Sequence, residues 1–218
     1  MKIKFLDGSE KEFENLRGAD LRFANLQYVN LRGADLRGAN LRDAVLRDAV
    51  LSDAVLSDAI LQFADLQFAD LQRANLRDAN LQYADLQRAN LRGAFLRGAI
   101  LRGAILQGTA LQDAILPDFQ ICPETGCFRA FKKLADGRVI EIEVAADAKR
   151  TSTLVGRKCR ASKARVVTEG IDGASTRDPA FRYVSGQEIS VDNFKDDIRV
   201  ECTAGIHFFM TRKEAEEY

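Results

Sequence analysis

The 218-residue chain has no tryptophan, a single histidine, three prolines and no cysteine before residue 121. With His207 alone, any mechanism that uses an imidazole as acid, base or nucleophile activator must run through one position. The four cysteines, Cys122, Cys127, Cys159 and Cys202, are distributed as in a reduced protein rather than as in a disulfide framework. Long apolar runs are missing as well. No stretch reaches the roughly 18 residues needed to span a bilayer, and the start, Met1 to Gly8, lacks a secretory apolar run. A cytoplasmic protein with no membrane contact is therefore expected. Charge of one sign is also absent: 32 Lys and Arg face 32 Asp and Glu, so the monopole that drives general polyanion binding or polyanion mimicry is lacking.

What the chain does have is a period of five. Leucine occupies every fifth position from Leu16 to Leu116, 21 times without a miss, and alanine stands two residues earlier in 18 of those units; Glu14, Val29 and Thr109 are the exceptions. On an α-helix, with about 100° per residue, such leucines would scatter around the cylinder. On a straight strand they would fall on alternate faces. Alanine and leucine two apart do share a face, and all of them point to one axis if the chain turns a corner once per unit. The period demands a coil.

The units Ala19-Asp20-Leu21-Arg22-Phe23, Ala24-Asn25-Leu26-Gln27-Tyr28 and Ala34-Asp35-Leu36-Arg37-Gly38 resemble the A-(D/N)-L-x-x unit of pentapeptide-repeat proteins. That resemblance implies an all-β right-handed quadrilateral β-helix, four units to a coil, with the leucine and the small residue before it inside. Twenty-one units then make about five coils, a stack roughly 25 Å long. We expect residues 1–14 to be an N-terminal cap, 15–118 the solenoid and 119–218 a small α+β domain.

The outward positions are mixed. The residue after leucine is Arg in ten units and Gln in eight, but residues 15–118 hold 12 Arg and 12 Asp, so the basic rows read as a solvated, self-neutralised face and nucleic acid is not the expected partner. The residue before leucine, normally Asn or Asp, becomes Val45, Val50, Val55 and Ile60 over four successive units, then Phe95, Ile100, Ile105, Ala110 and Ile115. Four units are one turn, so each run forms a girdle. The first is the candidate interaction band, its alternative being β-branched residues that suit an extended backbone. Outward aromatics fall on two faces: Phe23, Phe63 and Tyr83 on one, Tyr28 and Phe68 on the next.

After Leu116-Pro117-Asp118 the period stops. Residues 128–134 and 139–144 read as strands joined by the Asp136-Gly137 hairpin turn, with further strands expected at 165–168, 181–184, 188–191 and 206–210. Thr211-Arg212-Lys213-Glu214 is a capping box that starts a final helix. The segments Arg157-Lys158-Cys159-Arg160-Ala161-Ser162 and Glu201 to Phe209 resemble an uncharacterised domain found after pentapeptide repeats in phage and bacterial proteins. The stretch from Tyr183-Val184-Ser185-Gly186 to Gly205-Ile206-His207-Phe208-Phe209, then Ala215 and Tyr218, is similar to a strand and following helix of ADP-ribosyltransferases, with His207 where that family has tyrosine. His207 is thus the candidate functional residue of this domain.

No cofactor or metal is expected. The pair Cys122 and Cys127 with Cys159 and Cys202 has enough thiolates for zinc, but C-x4-C with two isolated partners lacks a second tight knuckle, and reduced core thiols are the expectation. The run Lys149 to Arg165 carries seven basic residues and no acid, a polyanion footprint or a face neutralised by Asp192, Asp196, Asp197 and Glu201. The expected function is a non-enzymatic rigid interaction or scaffold module with a protein partner. The alternatives are the topoisomerase-binding DNA mimicry that the resemblance implies for some quinolone-resistance proteins, which the neutral surface disfavours, and a degenerate ADP-ribosyltransferase-like C-terminal domain.

Overall fold

A computed structural model describes every residue from Met1 to Tyr218 and divides the chain into two compact units, Met1–Asp118 and Phe119–Tyr218. In the first, strands β1 (Lys2–Phe5) and β2 (Glu10–Glu12) form an antiparallel hairpin around Asp7-Gly8. β1 also pairs antiparallel with β3 (Ala24–Asn25), so the hairpin covers backbone that an open edge would leave unpaired.

From there parallel bridges join residues 20 apart, Asp20 to Asn40 through Phe95 to Ile115, which makes four units one coil. Leu21 through Leu106 are buried, most of them completely, as is nearly every alanine two residues before them from Ala39 to Ala104. Thr109, which stands at an alanine position, is also fully buried and donates its hydroxyl to the carbonyls of Leu86 and Leu106. Leu111 and Leu116, at the end of the stack, are half-buried.

The five amides of a unit can each be accounted for. In the unit around Leu21, Leu21 N–H donates to Asn40 at 2.7 Å, Phe23 to Arg42 at 3.1 Å and Ala24 back to Leu21 at 3.1 Å, while Asn40 N–H of the next coil returns to Ala19 at 2.9 Å. The fifth amide, on the residue after leucine, is taken by the side chain before it: Asp20 Oδ1 accepts from Arg22, Asn30 from Arg32, Asp65 from Gln67. The Asn or Asp preference is therefore an Asx turn that caps this amide, not only a polar surface choice. In both girdles the side chain before leucine offers no such acceptor.

Ala24 N–H to Leu21 O closes a β-turn whose third residue has positive φ. All 20 such positions from Gly18 to Asp113 are left-handed, with φ of 56–61° at the 13 non-glycine residues. A positive φ at the third residue alone is the type II pattern. It explains why glycine or aspartate fills most of these positions, since both tolerate the left-handed region better than other residues. Phe23, Tyr28, Phe63, Phe68, Arg73, Tyr83 and Arg88 adopt it too.

The second unit is antiparallel sheet with one short helix. Strands β4 (Phe128–Lys133), β5 (Val139–Val144), β6 (Arg150–Thr151), β7 (Cys159–Ala161), β8 (Lys163–Val166), β9 (Asp172–Ala174), β10 (Arg182–Val184), β11 (Glu188–Ser190) and β12 (Ile206–Phe208) precede α1 (Arg212–Glu217). They form sheets ordered β11-β8-β5-β4, β12-β7-β6 and β10-β9. The Asp-Gly hairpin closes with Leu134 N–H on Arg138 O at 2.8 Å, and Thr211 caps α1 with both bonds of the capping box. Ile140, Ile142 and Val144 point into the core from β5 and Phe208 joins them from β12. The helix has six residues, so the helical share is small for an α+β domain, and β6, β7 and β9 are strands the sequence pattern did not announce. No helix is long and apolar enough to cross a membrane.

Candidate functional surface and the His207 pocket

The coil sets outward side chains in columns one coil apart. On one corner Phe63 and Tyr83 stack with ring centroids 5.1 Å apart and planes 9° from parallel. Arg42 lies over Phe63 on one side, and on the other the Tyr83 ring crosses Gly103, where a Cβ would meet it at 2.5 Å. On the adjacent corner Arg47 and Arg88 both sit over Phe68. Phe63, Phe68 and Tyr83 keep 42–48% of their surface exposed.

The candidate band is placed one residue per face: Val45 bridges Asn25 and Asp65, Val50 bridges Asn30 and Asp70, Val55 bridges Asp35 and Asn75, Ile60 bridges Asn40 and Asn80. The three valines are half-buried and only Ile60 is exposed. In the second girdle Phe95, Ile100, Ile105 and Ile115 are exposed. The arginines are neutralised in part, along and across coils: Arg22 and Arg37 pair with Asp20 and Asp35, Arg73 and Arg32 share Asp53, and Arg47 reaches Asp65, while Arg17, Arg77, Arg92, Arg97 and Arg102 have no carboxylate partner. An open cavity of about 550 Å3 lies between the hairpin and the first coil, lined by Asp7, Lys11 and the already joined pair Asp20 and Arg22.

In the second unit most of the basic run bonds within the unit. Arg160, fully buried on β7, donates to the carbonyls of Lys195, Asp197, Val200 and Glu201 at 2.5–3.2 Å. Arg150 donates to the carbonyls of Ala145, Ala146, Ala148 and Gly126, while Lys163 pairs with Asp147 and Arg157 with Glu214. Four of the seven basic residues are thereby taken up in structural bonding, while Lys158 lines the void beside His207. The four cysteines do not converge. Ser152 Oγ lies 3.6 Å from Cys122 Sγ and 3.4 Å from Cys159 Sγ, Cys127 is exposed, and Cys202 Sγ sits 3.1 Å from Lys158 Nζ.

His207, in the middle of β12, is half-buried, and its Nε2 is buried without a partner. Burial, reinforced by the positive charges of Lys132, Lys158, Arg160 and Arg177, holds its conjugate acid down at about 3. At neutral pH the ring is uncharged and a weak proton acceptor, which argues against a histidine base here. Lys132, also buried, is held down to about 8 by burial and by Lys158. The sign of the pH effect follows. A base whose folded pKa is depressed binds protons later than the unfolded chain does, so stability falls as pH drops from about 6.5 to about 3. His207→Leu should flatten this limb, retaining about 3 kcal/mol more of its neutral-pH stability at pH 3.5 than the parent, after allowance for partial exposure. Parallel urea-unfolding curves for the two proteins between pH 7 and 3.5 would contradict the assignment.

The coil thus exposes its outer residues in fixed columns. Pentapeptide-repeat family models match residues 15–53, 39–78 and 79–116, and a model described as a family of unknown function (DUF5758) matches residues 119–215. The chain is a pentapeptide-repeat protein that carries a C-terminal domain of that second family. Among solved structures, the pentapeptide repeat protein Rfr23 of the cyanobacterium Cyanothece 51142 is 44% identical over 41% of this chain and 60% of its own, with a TM-score of 0.40. A pentapeptide repeat protein of the Arabidopsis thaliana thylakoid lumen is 35% identical over 47% of this chain and 72% of its own, with a TM-score of 0.46. HetL of Nostoc, described as involved in heterocyst differentiation regulation, is 34% identical over 48% and 62%, with a TM-score of 0.24. The matched part spans three fifths of the Rfr23 chain. No curated protein matches the chain.

Proposed function

We propose that the repeat unit is a non-enzymatic interaction module that holds a protein partner on its outer columns. The observation that carries this reading is the ladder of backbone bonds between coils, which stacks Phe63 on Tyr83 and holds Ile60 and Phe68 at set positions while leaving all four exposed. Rigid aromatic anchors flanked by arginine are the residue types that dominate protein contacts. Val45, Val50 and Val55 extend the band around the coil with smaller exposed area.

The test exploits the repeat itself. Asp at the left-handed position and Asn before leucine are the residues other units already use, so Phe63→Asp with Phe68→Asp and Tyr83→Asp, and separately Val45→Asn, Val50→Asn, Val55→Asn and Ile60→Asn, should fold as well as the parent. Affinity capture with the full chain is expected to recover a partner that the aromatic variant loses at least about tenfold, with a smaller loss for the band variant. Recovery of the same partner at the same level by both folded variants would refute the patch.

A further inference from the structure

The C-terminal unit gathers more positive charge around one cavity than its own acids neutralise. Lys132 and Lys158 are 7% and 3% exposed, and both line a void of about 20 Å3 together with Lys133, Arg177, His207, Phe209 and Tyr218. Lys158 has some local compensation: its Nζ lies 3.1 Å from Cys202 Sγ, 3.9 Å from Glu201 and 3.5 Å from the centre of the Tyr218 ring. Lys132 has no carboxylate partner; its ammonium group lies 5.7 Å from the Tyr183 ring. Arg177 spends one nitrogen on the carbonyl of Cys202 and leaves the rest of its fork free. Lys133, the fourth cation on the lining, donates to the carbonyl of Glu216, so four cations meet one distant carboxylate. Buried cations are ordinarily paired, so Lys132, buried without a carboxylate, costs stability unless something else supplies the charge.

The void is not isolated. Arg177 and His207 also line an open cleft of about 410 Å3, whose other walls include Phe181, Tyr183, Val191 and Asn193. A volume of this size, with an aromatic and aliphatic wall and a few polar groups, is that of a small-molecule site. Its one acid, Asp178, lines the cleft and not the void.

We infer that this cleft binds a small organic phosphate, with the phosphate at the junction of the two cavities against Lys132, Lys158 and Arg177, and the organic part along Phe181, Tyr183 and Val191. A phosphate monoester carries close to two negative charges at neutral pH and so offsets more of this cation excess than a carboxylate would. The void accepts about one water-sized atom, room for a single phosphate oxygen drawn between the lysines. His207, neutral on the shared wall, neither repels the anion nor competes for it. Its chemical role is that of a reporter: cancelling the positive field raises its affinity for a proton.

The experiment uses the full chain in Tris chloride and reads the one histidine by NMR while inorganic phosphate, then phenyl phosphate, is added. Saturable movement of the His207 ring resonances is expected with both probes, with phenyl phosphate binding at least about tenfold tighter because it also fills the apolar cleft. Arg177→Gln, an exposed position that should not disturb folding, is expected to weaken both about tenfold, and Lys132→Met more. Resonances that stay in place, or that move equally with sodium chloride at the same ionic strength, would overturn the site. Equal affinity for the two probes would remove the cleft from it, and wild-type affinity in folded Arg177→Gln would remove the proposed geometry.

Discussion

Leu66→Ala should cost the repeat unit about 3–4 kcal/mol, whereas Leu111→Ala should cost about 1. Leu66 is fully buried in the middle of the stack, between Leu46 of the coil before and Leu86 of the coil after, both fully buried. Truncation there opens a cavity whose walls cannot collapse, because each coil is tied to its neighbours by bonds at 2.7–3.1 Å that fix the backbone on both sides. Leu111 is already half-exposed at the end of the stack, so less apolar surface is lost and the site can relax. Urea unfolding of the full chain, with hydrogen exchange read separately at repeat amides, measures both. In a nearest-neighbour stack the Leu66 substitution should also loosen amides of the flanking coils before distant ones. Equal losses at the two positions would mean that the leucine column does not carry the stability assigned to it.

The coil was legible because a spacing of five is incompatible with a buried stripe on a helix or a buried face on a flat strand. The turn chemistry was legible in principle but not read. Gly18, Gly33, Gly38, Asp43, Asp48, Asp53 and Asp58 share one position, and glycine or aspartate recurring there is the signature of a left-handed residue. The aromatics at Phe63 and Tyr83 hid it, since bulky side chains rarely take that conformation. In the C-terminal unit the Asp136-Gly137 turn and the Thr211 capping box are local signals and could be read directly. Strands β6, β7 and β9 could not: they are two or three residues long, and β7 alternates as Cys159-Arg160-Ala161, which looks like part of a charged run. The environment of His207 was beyond sequence reading for a related reason. The cations that hold it neutral come from positions 132, 158, 160 and 177, which only the three-dimensional chain path brings together.

Arg160 shows most sharply how a surface reading of charge fails, and its removal should be the most damaging single change in the C-terminal unit. One guanidinium satisfies four backbone carbonyls, those of Lys195, Asp197, Val200 and Glu201, in a segment without regular structure between β11 and β12. With the arginine gone, those acceptors lose their donors and the segment loses the tie that closes it onto β7. Arg160→Met, similar in length and apolar, should lower the stability of this unit by about 3–5 kcal/mol and raise amide exchange selectively over residues 192–205. Arg160→Lys should recover little, because a single ammonium group cannot reproduce a planar fork aimed at four oxygens. The same segment supplies Thr203, Ala204 and Gly205 to the cleft and Glu201 and Cys202 to Lys158. Phosphate binding should therefore weaken in Arg160→Met at temperatures where the domain is still folded. A variant that unfolds within about 1 kcal/mol of the parent, with unchanged exchange across 192–205, would show that the four carbonyls find other donors and that the segment is held by its packing alone.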